Sequence, residues 1–252
     1  MRWWVLLAFL CANPASGAES LVTGLSRDDV QITADFTGSD ILVYGAVRRE
    51  SPAPTHAPME VIVTLEGPSL PLVVRRKERQ FGIWVNGAWT EFGNVPSYFA
   101  IASTGEISRI LAPEDDLLHK INFDRRISIT RLEAGTMDSH AFSEALQRIR
   151  LHTGSLAIQE TGVKLAQDTL FRADFSLPSN LTEGQYLVRM FLLRGGQVID
   201  TKEQTIDVRK TGIERHLTNM AHQQPLLYGI LSLLMAALAG WAASEIFRFM
   251  RR

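Results

Sequence analysis

Apolar and polar residues alternate in short runs through much of the chain. Val30, Ile32, Ala34 and Phe36 alternate with polar neighbours, residues 37–40 are turn-rich, and the alternation resumes over 41–47. A period of two sends successive side chains to opposite faces of a strand, so these runs predict an antiparallel sheet with one buried face. Residues 51–58 hold three prolines and are expected to be loop, and residues 59–65 and 70–76 read as two further strands joined at Gly67-Pro68. The segment Ile83-Trp84-Val85-Asn86-Gly87-Ala88-Trp89 predicts a hairpin turning at Asn86-Gly87, because that dipeptide suits the two positive-φ positions of a type I′ turn. Trp84 would then face Trp89 across the pair.

Between about 93 and 154 the rhythm changes. Pro113 followed by Glu114, Asp115 and Asp116 predicts a short helix, with proline in the first turn and acids where the helix dipole is positive. Phe142, Leu146 and Ile149 recur at helical spacing between Ser139 and His152, and Gly154 follows as a stop signal. This block is expected to be a helical insertion. Strands then return at 170–177, 184–193 and 198–208, with Gly195-Gly196 as a turn. Seven or eight strands with a proline loop ahead of a glycine-tyrosine strand predict a mainly β chain, an immunoglobulin-like antiparallel β-sandwich interrupted by helices.

Both ends of the chain are greasy. Residues 1–18 have the plan of a signal peptide: Arg2, an apolar run through Cys11, then Asn13, Pro14 and small residues up to Ala18. Its nine apolar residues make a helix of only about 14 Å, too short for a hydrocarbon core of about 30 Å. Residues 225–244 carry no charge and are long enough to cross, with Tyr228 and Trp241 near the ends and Arg248, Arg251 and Arg252 after them. The expected layout is therefore a signal peptide at 1–18, a periplasmic ectodomain at 19–224, a transmembrane helix at 225–247 and a cytoplasmic tail at 248–252. This makes the lipid bilayer the first expected partner, through the C-terminal helix.

Charge then removes some partners. The 26 lysines and arginines nearly balance 27 aspartates and glutamates, and no basic run exceeds Arg75-Arg76-Lys77, so no nucleic acid partner is expected. The only cysteine, Cys11, lies in the expected leader. No G-x-S-x-G, Walker loop, dinucleotide fingerprint or H-E-x-x-H occurs, so no catalytic residue, cofactor or metal site is assigned and no enzyme is expected. Asp115 and His119 share a helical spacing but make only two ligands, and His216 and His222 fall on different helix faces.

Three residue sets stand out as interaction candidates. Ser232, Ala236, Gly240 and Ser244 recur every fourth residue, a stripe that lets a partner helix approach closely. Phe81, Trp84, Trp89, Phe92, Tyr98 and Phe99 form a dense aromatic set, read either as core or as an exposed docking patch with Trp84, Trp89, Tyr98 and Phe99 as the docking candidates. Arg75 and Arg76 are candidate anion contacts.

Several segments resemble one family: Ile83-Trp84-Val85-Asn86, Val95-Pro96-Ser97-Tyr98-Phe99-Ala100, Leu170-Phe171-Arg172-Ala173, Gly184-Gln185-Tyr186, and Leu227-Tyr228-Gly229 with Gly240-Trp241. They are similar to the alphaproteobacterial transmembrane protein family Alph_Pro_TM, about 250 residues long, over nearly the whole chain. The family has no established activity, so the resemblance transfers no residue role. It implies a Gram-negative inner membrane and a gene neighbourhood that often holds a TauE/SafE-type anion exporter. On that footing the chain is expected to be a non-enzymatic accessory of a polytopic permease, a TauE/SafE-type sulfite or sulfonate exporter being the candidate, with a periplasmic small-anion binding or sensing module as the rival reading.

Overall fold

The computed structural model describes residues 19–33, 36–49, 57–132, 139–210, 221 and 225–250, without the side chains of 227 and 242–250. The expected leader at 1–18, Ala34, His56, His216, His222, Arg251 and Arg252, and the side chains of Ser244, Glu245 and Arg248, lie outside the described residues.

Among the described residues thirteen strands form three sheets. The outer sheet has the order β1 (Ser20–Leu25), β3 (Ser39–Arg48), β11 (Leu170–Leu177), β10 (Val163–Ala166), all antiparallel. The central sheet runs β2 (Asp29–Ile32), β13 (Gln197–Lys210), β12 (Gly184–Arg194), β4 (Met59–Glu66), β7 (Phe99–Ser103), β9 (Leu156–Gln159), with parallel pairs β2–β13 and β7–β9. The third sheet is a finger: β5 (Ser69–Gln80), β6 (Ile83–Pro96) and the short β8 (Ile129–Leu132).

The central sheet is buried on both faces, and its alternation sorts residues into two cores. Val61, Val63 and Leu65 of β4, with Tyr186, Val188, Met190 and Leu192 of β12, face the outer sheet and meet Val43, Phe171 and Phe175. Ile62, Phe191, Leu193, Phe99 and Ile101 face the other way, against Val74 and Phe92 of the finger and against helices. Those helices are α1 (Ile107–Ile110), α2 (Pro113–His119), α3 (Phe123–Arg126) and α4 (Ser139–His152). Tyr186, near the start of β12, donates its hydroxyl to Thr182 O at 3.0 Å and fixes the loop that enters the strand.

Several expected elements stand. The strand over Leu170–Leu177, the turn at Gly195 and Gly196 with φ of 59° and 88°, helix α4, and Gly154 at φ 70° after it fall where the pattern placed them. Pro113 opens α2. Phe142 and Leu146 are buried under α4, whereas Ile149 is half exposed.

Other expectations are corrected. The hairpin turns at Phe81-Gly82, with φ of 50° and 86°, and Asn86-Gly87 lies inside β6 at an irregularity of the ladder. Trp84 therefore opposes Arg79, and Trp89 opposes Arg75. Finger length decides this: turning five residues earlier lets β5 use its full 12 residues, and the extra β6 residue is absorbed as a bulge. The stretch 93–154 is not all helical. It holds β7, a five-residue strand buried at every position inside the central sheet, and the short strand β8. A strand covered on both faces has no alternation to read, which is why the pattern missed it. β1, β9 and β10 add three short strands to the expected count, and β2 ends at Ile32.

The last helix, α5 (Pro225–Met250), is 26 residues long. Leu226, Ile230, Leu233, Leu234, Met235, Leu238 and Trp241 on it are all exposed. Among the described residues no helix is long and apolar enough to cross a membrane; the described side chains of α5 stop at Trp241.

Candidate functional site

β5 is the free edge of the finger sheet, and α4 lies beside that edge. Between them is a cleft of about 400 Å³ whose apolar wall is Val74, Phe142, Ala145 and Ile149. Arg76 follows buried Val74 by two residues, so the pleat sends it to the α4 side, where its guanidinium lies 5.2 Å from the Phe142 ring centroid. Arg148 of α4 enters the same cleft, and Arg75 and Lys77 border it at the strand edge. Glu144, the acid beside the cleft, is engaged 3.4 Å from His140. None of the four cations is paired with a carboxylate among the described residues. An unpaired guanidinium against an apolar wall presents a fork of donors suited to carboxylate, sulfonate or phosphate oxygens. The cleft thus gathers four cations and one carboxylate, Glu144.

The expected anion pair is thus divided. Arg76 faces the cleft, whereas Arg75 sits opposite Trp89 on the other face of the strand. The partner the sequence missed is Arg148, distant along the chain and inconspicuous on a helix rich in charge.

The aromatic set divides as well. Phe99 is fully buried, with its ring edge-on to Phe123 at 5.6 Å, and buried Tyr98 donates to Ser176 O at 3.2 Å. Burial, reinforced by nearby Tyr186, pushes the Tyr98 hydroxyl up to about 12. Both are core residues and form no exposed patch. Trp89 is half buried, and only Trp84 is freely exposed, at 68%. It is joined at the finger tip by Phe81 and Ile83, exposed at 106% and 65%. Phe81 belongs to the aromatic set that the sequence singles out, and its place in the turn exposes it, whereas Phe92 of the same set is fully buried.

Charges buried beneath the helices were not legible in sequence. Glu66 at the end of β4 accepts from Arg189 Nε at 2.8 Å and from Arg126 Nε at 2.6 Å. Arg189 Nη1 donates to His119 O at 2.7 Å and Nη2 to Lys120 O at 3.0 Å, tying β12 to the end of α2. Burial pushes the Arg189 guanidinium down, and the Glu66 carboxylate opposes this. The only hint was one arginine in the apolar run of β12. A second clamp holds Glu19, whose carboxylate meets Arg194 at 2.7 Å and Arg49 at 2.9 Å. Burial raises the Glu19 pKa, but the hydrogen bonds and charges of Arg194 and Arg49 together hold it below the ordinary range.

Asp115 and His119 are spent on structure. Asp115 accepts from Val198 N at 3.0 Å, and the His119 ring packs edge-on to Phe191 at 6.0 Å. A polar pocket of about 410 Å³ gathers Asp116, Asp124, Glu144 and a single histidine, His140. Asp116 there is committed to Asn122 at 2.9 and 3.0 Å. No group of three or more residues that could hold a metal occurs among the described residues.

On α5, Ser232 donates its hydroxyl to Tyr228 O at 2.9 Å, and a Cβ added at Gly240 would meet nothing within 4 Å. Ala236 is exposed along the same side, so the described part of the stripe is uncovered; the Ser244 side chain is outside the description.

A family model described as "Putative transmembrane protein (Alph_Pro_TM)" matches residues 20–249. No curated protein and no solved structure matches the chain.

Proposed function

Because the chain belongs to the Alph_Pro_TM family, we propose that it is a non-enzymatic single-pass protein of the inner membrane, with its β-rich module in the periplasm and its C-terminus in the cytoplasm. Its role on this reading is that of an accessory to a polytopic membrane partner, a TauE/SafE-type exporter being the candidate. The observation that carries the reading is α5: large apolar side chains from Leu226 to Trp241 stand exposed around it, and residues 225–244 contain no charge. A helix apolar on all sides finds its partner in lipid or in other helices. The stripe of Ser232, Ala236 and Gly240 supports contact with a helix, since small residues let backbones approach where lipid asks for nothing of the kind.

The module is read as an immunoglobulin-like sandwich. Two features support this: the strand orders of the outer and central sheets, with the first strand's continuation β2 parallel to the last strand β13, and the Tyr186 hydroxyl returning to Thr182 O. The finger and helices are then insertions on either side of β7.

Alkaline carbonate washing and protease treatment of spheroplasts test the layout. The expected result is a pelletable protein whose module is digested from outside; release by carbonate, or protection of the module, overturns it. Co-purification with the neighbouring permease tests the accessory role, with Gly240→Leu expected to weaken it at least roughly tenfold. Because nothing packs on Gly240, this substitution leaves the module intact. Association unchanged in Gly240→Leu overturns the helix contact.

The cleft between β5 and α4 supports anion binding as a second reading, carried by Arg76 and Arg148 facing one apolar cavity without carboxylate partners. Thermal shift of the intact protein in detergent with sulfite, sulfate and alkyl sulfonates is its test. Stabilisation lost in Arg76→Gln and Arg148→Gln is expected, and no stabilisation at millimolar ligand overturns it.

A further inference from the structure

We propose that the tip of the β5–β6 finger contacts lipid, entering the interface of a membrane that contains anionic phospholipid. Phe81, Ile83 and Trp84 gather three large apolar side chains on one turn, all exposed by at least 65%. The turn holds Phe81 at φ 50°, a left-handed conformation that asparagine or glycine adopts at less cost, so a bulky ring is displayed there against local preference.

The charges beside the tip are also sorted. Alternation places Arg75, Lys77 and Arg79 on one face of β5, and their register partners Trp89, Asn86 and Trp84 share that face. Glu78 points to the opposite face. Glu91, further down, is answered by Arg131 at 3.8 Å. Toward its tip this face therefore carries three cations, two indole rings and no acid. Tryptophan favours the headgroup region, and lysine and arginine are drawn to an anionic leaflet, so the face complements a phosphodiester surface in both apolar and charge character.

Topology supplies access. β13 runs parallel to β4 in the central sheet, so the chain leaves β13 at Lys210 from the same end at which β4 hands over to the finger. Residues 211–224 separate Lys210 from α5 and span at most about 50 Å when fully extended. That end holds the base of the finger; on the membrane-span reading, from which this tether alone is taken, the reach of the tether lets the module turn its tip to lipid, at the raised effective concentration of a tethered group.

The test uses the full chain carrying Cys11→Ser and Gln80→Cys, labelled at 80 with an environment-sensitive fluorophore. It is reconstituted into vesicles of phosphatidylcholine, or of phosphatidylcholine with phosphatidylglycerol, each doped with nitroxide lipid. Quenching at least about twofold stronger with phosphatidylglycerol is expected. Phe81→Ser/Trp84→Ser should abolish it, and Lys77→Glu/Arg79→Glu should remove the dependence on phosphatidylglycerol. Absent or equal quenching in the two vesicles overturns the inference. So does a label that responds to soluble polyglutamate and not to vesicles, which would assign the tip to an acidic protein. Carbonate-resistant flotation of the same samples reads the span separately. Protein that floats with an unquenched tip overturns the finger contact alone; protein that does not float but is quenched by added anionic vesicles supports the finger and overturns the span.

Discussion

Arg189 and Glu66 stand two residues out of register on neighbouring strands of the central sheet, with the guanidinium bound to one carboxylate oxygen through Nε at 2.8 Å and Nη2 at 2.5 Å. Both side chains are about 5% exposed. The pair lies on the face that carries the helices, so it joins the central sheet to the end of α2 through the carbonyls of His119 and Lys120. Lys120 closes α2 at φ 50°, leaving those carbonyls without helical donors, and Arg189 supplies the missing hydrogen bonds.

Breaking this pair from one side leaves a buried charge. Glu66→Ala is expected to cost about 3–5 kcal/mol, while Glu66→Leu combined with Arg189→Met recovers much of that loss by replacing ions with packing. Denaturant unfolding of the protein in detergent, followed by near-ultraviolet circular dichroism, measures both. A double variant no more stable than Glu66→Ala refutes the account.

The Glu19 clamp has a defined pH signature. Folding lowers this carboxyl's pKa, so its stabilisation is complete above the ordinary carboxylate range and is lost as pH falls through the folded value. Glu19→Gln should cost about 1–3 kcal/mol at neutral pH. The gap between wild type and Glu19→Gln in urea midpoint should narrow steadily in acid; a gap constant with pH contradicts the assignment.

Tyr98 gives the opposite limb. Its folded value of about 12 lies above that of a free phenol near 10. Its contribution is therefore full below the free value and is lost as pH rises through the folded one. Burial raises the Tyr186 phenol too, so tyrosinate absorbance should show late-ionising phenols, one of them lost in Tyr98→Phe, and alkaline unfolding should be later in that variant.

At the finger tip, local strain predicts a gain. Phe81→Asn should stabilise the folded protein by about 0.5–1 kcal/mol, because asparagine tolerates the left-handed region. Gly82→Ala, at φ 86°, should destabilise by about 1 kcal/mol. Thermal unfolding of both variants against wild type checks the two signs together.

Legibility followed the range over which each signal is generated. α4, the strand over Leu170–Leu177 and the Gly195-Gly196 turn are set by neighbours a few residues apart, and they were readable. The Asn86-Gly87 turn failed although its chemistry was sound, because Phe81-Gly82 reverses the chain earlier and Asn86-Gly87 is accommodated in a bulge. β7 failed because both of its faces are covered. Of the candidate contacts, Arg76 shares its cleft with Arg148, which no local pattern pairs with it, Trp84 stands exposed beside Phe81, and Tyr98 and Phe99 are buried in the core.

From the sequence alone came the mainly β character, the apolar C-terminal helix and the lack of any local catalytic signature. These follow from side-chain chemistry and from periods of two and 3.6 residues, which no distant partner has to complete. Tertiary structure alone decided that the central sheet is covered twice, that Arg189 finds Glu66 and that Arg148 comes to face Arg76. Those outcomes depend on which faces exclude water together, and that is a property of segments far apart in the chain.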